Sequence, residues 1–145
     1  MTRKQLLKMI DIAKVEEAIR KAELETSGEI RVSISPFFWG DVRKAGELAF
    51  RRLGMHKTEQ RNGVLFFVTP SRRKFVVIGD AGIHSKVGDE FWVKVAEAVS
   101  FRFREGDFTG GLIDGIEEAG ARLAEFFPHA GASDRNELSD SVDIV

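Results

Sequence analysis

Apolar and polar positions change period several times along the chain, and each change marks an element. Over residues 11–25, DIAKVEEAIRKAELE, the apolar Ile12, Val15, Ile19 and Ala22 recur at helical spacing while Glu, Lys and Arg fill the other face, which predicts an amphipathic helix. TSG stops it. EIRVSIS then alternates, with Ile30, Val32 and Ile34 on one face and Arg31, Ser33 and Ser35 on the other, the pattern of a strand with one polar or edge-like face. Residues 41–53, DVRKAGELAFRRL, return to the helical period, with Asp41 as N-cap and Gly54 as a C-terminal stop. GVLFFVT, at 63–69, is an unbroken apolar run, which only a central strand covered on both faces explains. Val64, Phe66 and Val68 should face one helical layer, and Leu65 and Phe67 the other.

PSRR is then a turn, and KFVVIG, at 74–79, the next strand. Residues 86–103 carry Val87, Phe91, Val95, Ala98 and Val99, followed by Phe101 and Phe103, as a third helix. REGDFTGG breaks it. Residues 110–126 place Leu112, Ile116, Ala119, Leu123 and Phe126 on one face of a fourth, which Pro128 ends.

Strand, helix, strand is a βαβ unit, so 29–35 and 63–69 should run parallel with a right-handed crossover. The short turn at 70–73 makes 74–79 antiparallel to 63–69. These directions sort the ends of the strands. Glu29, Asn62, Asp80 and the helix-entry Asp89 converge at one edge. The opposite edge gathers residues 35–41, 69–73 and 104–108.

Composition narrows the function. The 145 residues suit one domain, expected over 1–128, with 129–145 as a mobile acidic tail. A net charge of −1 provides no global field for nucleic acid or an anionic membrane. The absence of cysteine excludes disulfides, thiolate metal sites and cysteine nucleophiles. The N-terminus lacks an apolar signal core and no window suits a membrane span, so a cytoplasmic location is expected.

Glu29, Asn62, Asp80 and Asp89 are all oxygen donors, and hard cations such as Ca²⁺ take carboxylate, amide and backbone oxygens. Gly79 and Gly82 would let backbone carbonyls come close. The residues leave a second reading open, because Asp in a Gly-rich turn and Asp at a helix start are common for local reasons.

SGEIRV, RNGVLFFV, RKFVVIGDAGIHSKVGDEFW and FREGDFTGGLIDGI, in that order, resemble the TPM domain family, named for a thylakoid lumen protein, a photosystem II repair protein and a receptor modulator from worms. The likeness covers about residues 10–127 and resembles the short, cytoplasmic bacterial branch. It implies a three-layer α/β/α sandwich, a mixed sheet of three to four strands flanked by about four helices. It also implies Ca²⁺ binding and an association with acid phosphatase activity. The family's Asn-Gly matches Asn62-Gly63, and its Asp after the Gly-Leu-Glu turn matches Asp89. His84 stands where many members carry Glu, and GDAG, in place of Gly-aromatic-Gly, supplies Asp80.

Three functional expectations follow. The first is a divalent-cation site, most simply for Ca²⁺, formed by Asn62, Asp80 and Asp89 with Glu29. The second is a metal-assisted acid phosphatase, for which Arg61 and His84 would supply positive charge and for which no catalytic residue can be named. The third is an interaction module built on Phe37, Phe38 and Trp39 of the loop SPFFWGD, beside the basic PSRRK turn, although the same rings could fold back and cap the sheet. No broad basic face suggests nucleic acid.

Overall fold

The computed structural model describes residues 2–129 and 139–145. Its strands β1 (Glu29–Ile34), β2 (Gly63–Thr69), β3 (Lys74–Gly79) and β4 (Asp143–Ile144) form one mixed sheet in the order β3-β2-β1-β4. β1 and β2 are parallel, in register from Glu29 with Gly63 to Ile34 with Val68. β3 is antiparallel to β2, from Val64 with Gly79 to Thr69 with Lys74. Both directions are those expected from the chain's pattern.

The helices are α1 (Arg3–Lys8), α2 (Ile12–Glu23), α3 (Val42–Arg52), α4 (Ala81–His84), α5 (Asp89–Phe103) and α6 (Phe108–Phe126). α2, α5 and α6 cover one face of the sheet and α3 the other, giving three layers. β2 is buried along its whole length. Val64, Phe66 and Val68 pack into the larger core with Ile19, Val95 and Ile116, whereas Leu65 and Phe67 join Phe50, Met55 and Ile78 under α3. An unbroken apolar strand has no solvent face to offer, and burying a side chain such as Phe66 contributes about 1.5–3 kcal/mol.

Local chemistry sets the helix ends. Asp41 caps α3 by accepting from the Arg43 and Lys44 N–H groups, and Gly54 follows the helix in the left-handed region at φ 71°. Asp107 accepts from the Gly110 N–H and starts α6 at Phe108, so part of the segment read as a breaker is already helical. Phe101, expected in the core, is 66% exposed. It lies two residues from Val99 and two from Phe103, which turns it about half-way round the helix from both.

Two helices were not anticipated. α1 opens with a capping box between Thr2 and Gln5, and α4 is a single turn after Asp80. The segment read as a mobile tail contributes β4, parallel to β1 through Ser33 with Asp143 and Ile34 with Ile144. Asp143 is held there by Arg52, at 3.2 and 2.7 Å, and by the Ser33 hydroxyl at 2.7 Å. These contacts lie too far apart in the chain to register in its local pattern. Residues 130–138 of that segment lie outside the described residues. Among the described residues no helix is long and apolar enough to cross a membrane.

Candidate functional site

The expected edge forms where β1 and β2 begin and β3 ends. The Glu29 N–H donates to the Asn62 carbonyl at 3.3 Å, and the Asp80 N–H to the Gly63 carbonyl at 3.0 Å. Backbones of three of the four expected residues therefore meet. Their side chains have different surroundings.

Asp80 is 6% exposed and caps α4 through the Ala81 N–H at 2.7 Å. Arg61 also grips it, Nε to Oδ2 at 2.7 Å and Nη2 to Oδ1 at 2.9 Å. Burial pushes the Asp80 carboxyl up. The Arg61 hydrogen bonds, the Ala81 N–H and the charges of Arg61 and His56 outweigh it and hold the group below the usual carboxylate range. Asp80 is thus both turn former and charge partner. Two backbone features bring Arg61 within reach. Arg61 adopts φ 53°, a left-handed conformation that typically costs about 1–3 kcal/mol for a non-glycine residue. Gly82 lies where any Cβ would strike the Gln60 and Arg61 carbonyls, so α4 packs directly on that turn.

Asn62 is 1% exposed. Its backbone is satisfied, the N–H donating to the Thr58 hydroxyl at 3.2 Å. Its carboxamide oxygen and nitrogen are both buried without a hydrogen-bond partner. A buried polar group left unsatisfied costs about 1–3 kcal/mol, so this amide calls for an explanation. His56 Nδ1 is likewise buried and unpartnered.

Glu29 is 2% exposed. In register it lies in one row with Gly63 and Asp80, two strand spacings or about 9.5 Å from Asp80. Met55 covers Gly63 between them, its carbonyl 3.0 Å from where a Cβ would stand. Glu29 instead meets Glu23, a residue the sequence pattern assigned to the charged face of α2. The Glu23 Oε2 accepts from the Ile30 N–H at 3.0 Å. Burial first, then a hydrogen bond with Asp140 and the proximity of Glu29, push the Glu23 carboxyl up to about 11, so it is protonated at neutral pH. Nothing in the spacing of Glu23, Glu29 and Asp140 marks this grouping.

Asp89 is the first residue of α5 rather than its cap, which is Gly88, and it is exposed. His84 is exposed and lies against Trp92, ring centroids 5.1 Å apart. Trp92 in turn covers Gly79 so closely that a Cβ there would fall within its ring. Among the described residues no three His, Asp or Glu side chains are arranged to hold a metal ion.

At the opposite edge the aromatic loop divides. Phe38 is half-buried and meets Phe67 edge-on at 6.1 Å, capping the sheet, whereas Phe37 and Trp39 are 44% and 75% exposed.

A family model described as TPM domain matches residues 1–122. The BA42 protein from the psychrophilic bacterium Bizionia argentinensis, solved by NMR, is 39% identical, with 92% of each chain covered and a TM-score of 0.86. The N-terminal domain of the cg2496 protein from Corynebacterium glutamicum is 17% identical over 91% of this chain and 76% of that one, with a TM-score of 0.62, a likeness of fold alone. Among curated proteins none matches.

Proposed function

As a chain that belongs to the TPM domain family, this protein, we propose, binds a divalent cation, calcium ahead of magnesium, where Asn62 and Asp80 enter and leave the sheet. The observation that carries this reading is the Asn62 carboxamide, buried and without a partner. A hard cation would give its oxygen a role. Asp80 supplies the negative charge, and the ion competes for it with Arg61, whose side chain is half exposed. Glu29 and Asp89 are the weaker members of the set: Glu29 already meets the protonated Glu23, and Asp89 is exposed. So few available charges suit a weak site, with a dissociation constant on the order of 10⁻⁴–10⁻³ M, and a binding or accessory role rather than catalysis. Mg²⁺ should do less, because it demands octahedral geometry and gives up water reluctantly.

Calorimetric titration with Ca²⁺ and Mg²⁺, together with amide chemical shifts, tests the site. Saturable Ca²⁺ binding that moves the resonances of residues 61–63 and 79–82 and is lost in Asp80→Asn and Asn62→Ala supports it. Millimolar Ca²⁺ that produces neither heat nor shift overturns it.

A further inference from the structure

The edge opposite the proposed cation site carries a surface with its own chemistry. Three loops are joined there. The Ser71 N–H donates to the Pro36 carbonyl at 3.3 Å. Arg72 Nη1 donates to the Gly40 carbonyl at 2.8 Å, and its guanidinium carbon lies 5.9 Å from the centre of the Trp39 ring. Arg73 Nη1 donates to the Arg104 carbonyl at the end of α5, at 3.4 Å.

This edge carries cations without carboxylate partners, although acids lie close to them in the chain. Among the described residues Arg72, Arg73, Lys74 and Arg104 form no ion pair with a carboxylate. Two of the local acids are engaged elsewhere, Asp41 at the start of α3 and Asp107 at the start of α6 and with Arg102. Glu105 is a third, exposed acid of the same segment. Between Arg73 and Arg104 lies a cleft of about 390 Å³ with Ser100 on its wall and Phe75 and Phe103 as apolar lining. Arg72, next to Arg73 in the chain, lies over the exposed Trp39 ring, and Phe37 is exposed in the same loop.

We propose that this edge docks on an anionic lipid surface, Trp39 and Phe37 entering the interfacial layer and the Arg73–Arg104 cleft receiving a headgroup phosphate. Tryptophan favours the headgroup level, where its ring is apolar and its N–H stays wet. Guanidinium groups pair with phosphate oxygens, and cations near an anionic leaflet add to the attraction. An acidic protein segment would share the charge complementarity. It would also need pockets for its side-chain anchors, whereas here the largest aromatic projects outward and the cleft is small. The shape therefore favours a lipid surface.

Flotation with vesicles tests this, using phosphatidylcholine alone and phosphatidylcholine mixed with phosphatidylglycerol, at low and high salt. The full chain should float only with the anionic vesicles, and high salt should release it. Tryptophan fluorescence should shift to the blue on binding, and Trp39→Ala should abolish the shift and weaken binding severalfold. Arg104→Gln and Arg73→Asn should each weaken it about fivefold, the factor for one cation near the surface. Asn suits the left-handed backbone of Arg73, and both variants should keep the wild-type melting temperature. Three results each overturn the proposal: no flotation with anionic vesicles at low salt, equal flotation of the wild type and all three variants, or capture of polyglutamate without vesicle binding, which would instead identify an acidic protein surface as the partner.

Discussion

Arg61 and Asp80, 19 residues apart, are joined by two parallel hydrogen bonds of 2.7 and 2.9 Å. The pair links the residue two before Gly63, where β2 opens, to the residue that follows β3. It closes the chain's two crossings of this edge on one another. The Asp80 carboxylate is thus paired with a cation from the loop that precedes β2.

The first prediction concerns that pair. Asn caps helices as well as Asp does, so Asp80→Asn removes the charge and keeps the cap. At neutral pH the variant should melt at a lower temperature than the wild type. The folded-state pKa of Asp80 lies below its ordinary value of 3.8. Its contribution is therefore present above 3.8 and is lost as pH falls through the lower, folded-state value. Melting curves recorded from neutral to strongly acid pH should show the two proteins converging in acid. A constant gap would assign the stabilisation to something other than the ionised carboxylate.

Glu23 should behave in the opposite sense. Its pKa rises from 4.5 to about 11 on folding, so between those values the folded protein binds a proton that the unfolded chain does not. The stability this group contributes is complete below 4.5 and falls as pH rises, by no more than about 1.4 kcal/mol per pH unit for one proton. Glu23→Gln mimics the protonated form and should gain on the wild type as pH increases above 4.5. Chemical denaturation at several pH values would show this as diverging curves, whereas parallel curves would mean that Glu23 is ionised in the fold.

Phe66 is fully buried in the central strand. Phe66→Ala should destabilise by about 3–5 kcal/mol in urea unfolding. Phe101→Ala, on the exposed side of α5, should stay within about 0.5 kcal/mol. A loss under about 1 kcal/mol for Phe66 would contradict the two-sided burial of β2.

The neighbouring rings of the aromatic loop should separate in the same way. Phe38 packs on Phe67, so Phe38→Ala should lower the melting temperature. Trp39→Ala should leave it nearly unchanged, within about 0.5 kcal/mol, because the ring is 75% exposed. A larger loss for Trp39 than for Phe38 would show that Trp39, and not its neighbour, caps the sheet.

Periodicity alone determined the main layers of this protein. The run at 63–69 could only be a strand between two layers, the alternation at 29–35 a strand beside it, and the intervening amphipathic segment the crossover that makes them parallel. Those inferences follow because period reports which side of an element is apolar, and an apolar side must be covered. The same directions brought Glu29, Asn62 and Asp80 to one edge. What each side chain does there was decided by tertiary structure. Asp80 meets Arg61 because a left-handed residue and a glycine press two loops together. Glu29 meets Glu23, and Met55 lies over Gly63 in the row between Glu29 and Asp80. β4 is held by Arg52, 91 residues from Asp143. Phe38 folds inward while Phe37 and Trp39 project. Charge pairing and loop packing depend on which distant segments become neighbours, and hydrophobic period carries no record of that.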